Sequence, residues 1–234
     1  MTELPIWGRY DHLRPAQIDA VKARTPVAFL PWGALEWHSV HNPIGLDGIL
    51  AHGQCCALAR VVGGVVLPAV FAGTDTIKPY KGFPHSIEHA ASTIRVLCDE
   101  FLEQLAGEDF SVIVVITGHC GAGHVEALRA SVDEFAAAHH GKRGALLLPS
   151  FEPMQDRYPS NHAARGETSF QMLFHPDLVD LSQLPDDRIA TLDQDGVWGE
   201  DPRTSSAEEG AEMLNLFVER TLPLIRENIR RYAT

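Results

Sequence analysis

The sequence has little positive charge. Nineteen lysines and arginines stand against 31 acidic residues, which gives a formal net charge of -12 at pH 7. The basic residues occur singly or in short pairs such as Lys142-Arg143. A surface of this sign repels phosphate backbones and anionic lipids. We therefore expect no nucleic acid and no membrane surface as a partner.

Long apolar runs and a disulfide framework are also missing. The longest apolar stretch, residues 61–71, is interrupted by two glycines and a proline, and it is shorter than the roughly 20 residues that span a bilayer. There are only four cysteines, and the neighbours Cys55 and Cys56 would be difficult to join to each other. The first ten residues lack the charged-then-apolar order of a secretory signal. These features predict a cytoplasmic protein.

Short apolar runs alternate with segments of helical spacing. The runs are rich in β-branched residues and lie at 26–31, 64–67, 111–117 and 145–148. The helical segments lie at 47–60, 92–105, 124–138 and 206–230. This order predicts an α/β fold in which helices cover both faces of a mainly parallel sheet. The length fits a single domain over residues 1–234.

In a parallel sheet the ligand crevice lies beyond the carboxyl ends of the strands. The first strand is followed there by Gly33-Ala-Leu-Glu36-Trp-His38-Ser-Val-His41-Asn-Pro-Ile-Gly-Leu-Asp47. On extended backbone Glu36 and His38 point to the same side, and their side-chain types bind divalent cations. Asp47 opens the next helix, where it can cap the helix, bind a metal, or both. His41 can equally be an ordinary loop histidine.

Two further polar segments belong to the same edge. Gly118-His119-Cys120-Gly121-Ala-Gly-His124 follows the strand that ends at Thr117, and its glycines allow a close approach of the backbone to a ligand. His124 itself is expected to serve packing or capping. The segment 149–166 lacks periodicity and is predicted to be an active-site loop. Its end, Asn161-His162-Ala-Ala-Arg-Gly-Glu167-Thr-Ser169, leads into a predicted helix at 168–174, where Glu167 could also merely favour the helix dipole.

These segments resemble the motifs of the creatininase family. The loop from Gly33 to Asp47 resembles the family pattern G-S-x-E-Q-H-G-x-H-L-P-L-x-T-D. Residues 118–121 resemble its N-G-H-G-G-N, residues 162–169 its H-A-G-x-x-E-T-S, and residues 196–199 its G-V-x-G. All four occur in family order and together extend from about Gly33 to about Gly210.

The resemblance implies an α/β/α sandwich, usually a homohexamer, that holds two divalent ions (Zn, Mn or Fe) and hydrolyses cyclic or linear amides of small molecules. Carried over by position, the metal ligands are Glu36, Asp47 and His119 for one ion and His38, Asp47 and Glu167 for the other. Asp47 would bridge the two ions. Creatininases proper place a glutamate where this chain has Gly121, and Glu167 is the substitute that other branches of the family use.

Two cations that share a carboxylate lower the pKa of a bound water, so that hydroxide can attack a scissile carbonyl. The predicted proton donor is His162 or a carboxylate freed from the metal, such as Glu167. The residues expected to shape the substrate pocket are Trp37, His41, His85, Cys120 and Trp198.

Several departures from the family pattern weaken the case for creatinine itself as the substrate. They include Gly121, Thr117, Ala122, Ala164 and the segment Phe83-Pro-His85-Ser86. One alternative keeps the metals but cleaves a carbon–carbon bond of a small cyclic diketone. Another uses Cys120 as a nucleophile on a strand-to-helix turn. A third is a metal-stabilised subunit without catalytic activity.

Overall fold

A six-stranded sheet lies at the centre of the computed structural model, which describes residues 6–233. Its strands are β1 (Trp7–Arg9), β2 (Val27–Gly33), β3 (Gly64–Val66), β4 (Val70–Phe71), β5 (Val112–Thr117) and β6 (Gly144–Pro149). They are ordered β1-β3-β2-β5-β6, with β4 paired to the carboxyl end of β2, and all pairings are parallel.

The helices lie on both faces of this sheet. They are α1 (Pro15–Lys22), α2 (Leu46–Val62), α3 (Ile77–Lys81), α4 (Ala91–Gly107), α5 (Ala122–Ala138), α6 (Arg165–Phe174), α7 (Leu192–Asp195) and α8 (Ala207–Tyr232). Within residues 6–233, no helix combines the length and the apolar character that crossing a membrane requires.

Alternate residues of the strands enter two separate cores, because successive side chains of a strand point to opposite faces. Ala28 and Leu30 of β2 and Ile113 of β5 pack with Ile94 of α4 and Leu128 of α5. The intervening strand residues, such as Phe29 and Val114, pack on the other face against α2, α6 and α8. These helices contribute Leu50, Phe170 and Phe217 to the second core. The predicted three-layer α/β/α sandwich with a parallel sheet is confirmed.

The four predicted strands and four long helices all form, with ends shifted by one or a few residues. α6 starts at Arg165, three residues before the predicted start, so Glu167 lies inside its first turn. The short strands β1 and β4 and the short helices α1, α3 and α7 were not predicted, because segments of two to eight residues carry too few apolar positions for a period to be read.

The first turn of α2 rests directly on the backbone of β2 and β5. A Cβ atom on Gly33 would lie 2.3 Å from the amide nitrogen of Gly48, and one on Gly118 would lie 2.1 Å from the carbonyl oxygen of Asp47. Side chains at either position would therefore push the helix away. This contact places Asp47 above the ends of the two central strands.

Candidate metal centre

The five predicted metal ligands meet at the carboxyl edge of the sheet. β2 and β5 are paired from Val27 and Val112 to Trp32 and Thr117. The segments after these two strands therefore emerge side by side, one carrying Glu36 and His38 and the other His119. Asp47 comes from α2 and Glu167 from α6. All five side chains are buried.

Asp47 lies between the two histidines. Its Oδ1 is 3.1 Å from Nε2 of His38, and its Oδ2 is 3.5 Å from Nδ1 of His119. It makes no capping hydrogen bond in α2, where the residue at the cap position is Gly45. The backbone amide of Ala34 donates to Oδ2 over 3.3 Å. The capping role considered for this aspartate is therefore not what the structure shows, and each oxygen faces a different histidine.

Each histidine also contacts a carbonyl oxygen with its other nitrogen. Nδ1 of His38 donates to the carbonyl of Glu36 over 3.0 Å, and Nε2 of His119 donates to the carbonyl of Thr74 over 2.9 Å. A carbonyl only accepts, so these nitrogens carry the protons of the neutral rings. When the ring is neutral, the nitrogen that faces the carboxylates is left with a lone pair, which is the arrangement of metal-binding histidines.

Glu36 and Glu167 complete two groups of donors. Glu36 Oε2 lies 2.8 Å from Nδ1 of His119, and Glu167 Oε2 lies 3.5 Å from Nε2 of His38. Glu167 is fixed at the start of α6, where its Oε2 also accepts a hydrogen bond of 2.6 Å from the amide of Ala163. The groups are Glu36, Asp47 and His119 on one side and His38, Asp47 and Glu167 on the other, each with donor atoms within 4.8 Å of one another. A third group of the same compactness, Glu36, His38 and His162, overlaps both.

The charges of this cluster need balancing. Burial opposes protonation of the histidines, but Asp47 and Glu167 outweigh it and raise the pKa of His38 to about 10. Glu36 in the same way raises the pKa of His119 to about 9. Burial raises the pKa of Glu167 to about 8 against the opposing effect of His38. Protons on these three groups balance the cluster, and divalent cations would do the same in their place.

The donor set fits divalent cations. Glu36 Oε2 and His38 Nε2 are among the ten buried side-chain atoms of residues 6–233 that have no hydrogen-bond partner, and both face other members of the cluster. Buried polar atoms are normally satisfied. Oxygen and imidazole ligands in two groups that share one carboxylate suit a pair of ions such as zinc or manganese.

A cavity of about 410 Å³ opens above the cluster. Glu36, Asp47, His119 and Glu167 form part of its wall. Of the predicted pocket residues, Cys120 and Trp198 line it. The lining residues that the sequence did not single out include Asp75, Thr76, Ile77, Tyr80, Ser160, Asn161 and Leu192.

The other three predicted pocket residues do not line this cavity. Trp37 points away from its neighbours Glu36 and His38, as alternation along extended backbone requires, and stacks on Phe83 with ring centroids 5.5 Å apart. His85 is exposed beside Trp37.

His41 is buried and lies 3.1 Å from the Thr168 hydroxyl. A turn lies directly before it, with Ser39 at a φ of 62°, and His41 is absent from the wall of the cavity. The placement of these side chains favours a role in packing over contact with a substrate.

His162 lies in the wall of the cavity, beside the metal ligands. Its ring centroid is 4.5 Å from that of His38, and its Nε2 donates to the carbonyl of Trp37 over 2.8 Å. Burial and the neighbouring His38 lower the pKa of His162 to about 4. The ring is therefore neutral at pH 7, with Nδ1 as its accepting nitrogen.

Cys120 contacts the cavity but is a poor nucleophile. Its thiol donates to the carbonyl of Gly118 over 3.6 Å. Burial, with added repulsion from Glu167 and Asp47, raises the pKa of the Cys120 thiol well above its usual range. A nucleophilic cysteine needs the opposite shift, so the surroundings disfavour the alternative based on this thiol.

Comparison with known protein families gives a match that covers most of the chain. The model of the creatininase family, described as creatinine amidohydrolase, matches residues 11–225. The chain belongs to the creatininase family. The members of this family are amidohydrolases.

Individual creatininases resemble the chain over nearly its whole length. The creatinine amidohydrolase of Pseudomonas putida is 26% identical, over 88% of this chain and 91% of its own. A mutant creatininase described as the Zn-Zn type has a TM-score of 0.76 at 23% identity, with 96% of this chain and 98% of that chain covered. A manganese creatininase has a TM-score of 0.73 at 24% identity, with coverages of 95% and 98%.

Gly121, at which the sequence is predicted to depart from the family pattern, is closely surrounded. A Cβ atom here would lie 2.5 Å from the carbonyl oxygen of Asp75 and 2.8 Å from Nε2 of His119. No side chain fits at this position without displacing one of them. Glu167 places a carboxylate oxygen 3.5 Å from Nε2 of His38.

Proposed function

We propose that this member of the creatininase family hydrolyses a C–N bond of a small amide, lactam or formamide-type substrate with the help of two divalent cations. The observation that carries the proposal is the pair of buried donor groups that share Asp47 at the base of a cavity. One ion would be held by Glu36, Asp47 and His119, and the other by His38, Asp47 and Glu167.

Cations bound here would polarise the scissile carbonyl and lower the pKa of a water molecule. Zinc and manganese are the metals named for structurally similar creatininases. The protein contributes by fixing the ligands. His38 and His119 are oriented by carbonyl oxygens, and Glu36 is held through Oε1 by the amide of Ile77 at 2.5 Å.

His162 is the proposed proton-transfer group. Its Nε2–H is engaged by the carbonyl of Trp37, so Nδ1 is the nitrogen that can exchange a proton with a substrate in the cavity. A lowered pKa keeps the ring neutral at pH 7. His162 can therefore accept a proton during attack and return it to the leaving nitrogen, as general acid–base catalysis requires. Glu167, which shares the cavity wall, is the second candidate for this role.

The cavity suits a small substrate with an apolar part. Its floor is charged, whereas Ile77, Tyr80, Leu192 and Trp198 supply apolar surface around it. Small-molecule sites commonly combine an apolar lining with a few polar groups. We propose an amide or lactam that differs from creatinine in its substituents, because Gly121 and its neighbours depart from the pattern of creatininases proper.

The decisive experiment combines metal analysis with a substrate panel. Protein purified without chelator should contain about two divalent ions per chain, and chelation should abolish hydrolysis that added zinc or manganese restores. The panel should contain linear amides, lactams, N-formyl compounds and cyclic diketones. Turnover of diketones alone would replace the proposed bond class, and retained metal without any turnover would favour a non-catalytic subunit.

A homohexamer in the cytoplasm, built from one domain per chain, remains a prediction that rests on the sequence. Sedimentation analysis of the untreated protein would test the hexamer, and limited proteolysis would test the single domain. A stable proteolytic fragment much smaller than the chain would contradict the latter.

A further inference from the structure

One short loop touches two ligands of the same proposed ion. The carbonyl of Thr74 accepts the hydrogen bond from Nε2 of His119 at 2.9 Å, and the amide of Ile77 donates to Oε1 of Glu36 at 2.5 Å. We refer to residues 74–77 as the 74–77 loop. Its position therefore decides how His119 and Glu36 present their remaining atoms to a cation.

The conformation of this loop needs support from outside. Asp75 has a φ of 60°, which is a left-handed conformation that residues other than glycine rarely adopt. The loop follows β4 and ends with Ile77, the first residue of α3. Without further contacts such a segment would be expected to relax.

Glu88 supplies that support with both of its carboxylate oxygens. Oε1 accepts from the amide of Asp75 at 2.7 Å and from the hydroxyl of Thr74 at 3.4 Å. Oε2 accepts from the amide of Thr76 at 3.1 Å and, in a short contact, from the Thr76 hydroxyl. The backbone next to Glu88 is itself paired with the residue before the loop, because the amide of His89 donates to the carbonyl of Gly73 at 2.9 Å.

The ligands of the second proposed ion are anchored elsewhere. His38 is oriented by the carbonyl of Glu36, and Glu167 is held by the amide of Ala163. Neither contact involves the 74–77 loop. The two donor groups therefore have different direct supports, and they are linked only through the shared Asp47 and through the backbone of Glu36, whose carbonyl orients His38.

We propose that Glu88 is a positioning residue that holds the 74–77 loop and thereby sets the affinity of the ion bound by Glu36, Asp47 and His119. This inference rests on the proposed metal centre. Glu88 does not contact the metal ligands itself. Its effect should be selective, weakening mainly one of the two ions, because only one donor group contacts the loop directly.

The test is the substitution Glu88→Gln, measured with Co²⁺ as the probe. A glutamine side chain has one accepting oxygen where glutamate has two. Two of the four hydrogen bonds that the loop donates to Glu88 are therefore lost. Calorimetric titration of chelator-treated protein should show one Co²⁺ bound about tenfold or more weakly and the other unchanged. The visible absorption spectrum of the weakened Co²⁺ should change, and that of the other Co²⁺ should not. A general structural defect would instead alter the spectra of both ions.

Three further variants make the result specific. Glu134→Gln removes a similar carboxylate from an exposed ion pair with Arg95 and should change neither ion. Glu167→Gln should leave mainly the ion of Glu36, Asp47 and His119, and adding Glu88→Gln to it should weaken that remaining ion. Glu88→Asp keeps both oxygens on a shorter side chain and should give an intermediate affinity, which covers the case in which Glu88→Gln does not fold.

Wild-type affinity for both ions in Glu88→Gln, or an equal loss of both, would overturn the role of Glu88 while leaving the metal centre intact. A wild-type protein that binds no Co²⁺ would instead overturn the proposed function, and this inference with it.

Discussion

Replacing Asp47 by asparagine should remove both ions, because this carboxylate faces both histidines. An ion that contacts Asp47 and either histidine lies within about 4 Å of the carboxylate, where one pair of unit charges is worth about 4 kcal/mol at an effective dielectric constant of about 20. Loss of that charge, with the ion counted as a single unit charge although it is divalent, corresponds to at least about a thousandfold weaker binding for each ion. Asparagine preserves the shape of the side chain and an oxygen for the amide of Ala34, so the fold should be retained.

The assay is elemental analysis after gel filtration, followed by titration of the metal-free protein with Zn²⁺. Asp195→Asn is a suitable control, because Asp195 is also buried but pairs with Arg188 away from the cluster. The control should keep the metal content of the wild type. Two tightly bound ions in Asp47→Asn would refute the bridging position of this residue, and loss of metal in both variants would show that the effect is not specific.

Three other outcomes are expected. Glu167→Gln should lower the metal content from about two ions to about one per chain, and elemental analysis that finds both ions would contradict its place in the second group. Metal-free protein should lose thermal stability as pH rises from about 6.5 towards 9 and 10, because the raised pKa values of His119 (about 9) and His38 (about 10) mean that the folded state keeps protons that the unfolded chain releases. Saturating zinc should abolish this dependence. A melting temperature that changes with pH in the same way with and without zinc would refute the charge balance proposed here. Cys120→Ser should leave turnover close to that of the wild type, and complete loss of turnover with retained metal would revive the nucleophilic cysteine.

Periodicity predicted the layers of the fold, since long buried strands and helices leave a clear pattern, and polar clustering indicated which edge of the sheet carries the site. The set Glu36, His38, Asp47, His119 and Glu167 came from the resemblance to the family motifs, because the residues alone left Asp47 open as a helix cap and Glu167 open as a residue that favours the helix dipole. The structure brings them together, and their binding of metal remains to be measured.

The residues around that group were harder to predict. Trp37 was assigned to the pocket although the same alternation that joins Glu36 and His38 sends it to the opposite side. Tyr80 lines the cavity from α3, a helix of five residues that carries no readable period. The carbonyl of Thr74 and the amide of Ile77 left no signal, because every residue has these backbone groups and only the folded chain shows which of them meet a ligand.

The seating of α2 on Gly33 and Gly118 has a consequence for altering this enzyme. The height of Asp47 above the sheet is set by main chain lying against main chain, so exchanges of apolar side chains deeper in either core should leave the spacing between the two donor groups almost unchanged. Variation at Tyr80, Leu192 and Trp198, which stand in the cavity wall away from that contact, could then alter which molecules enter without disturbing the atoms that would react with them.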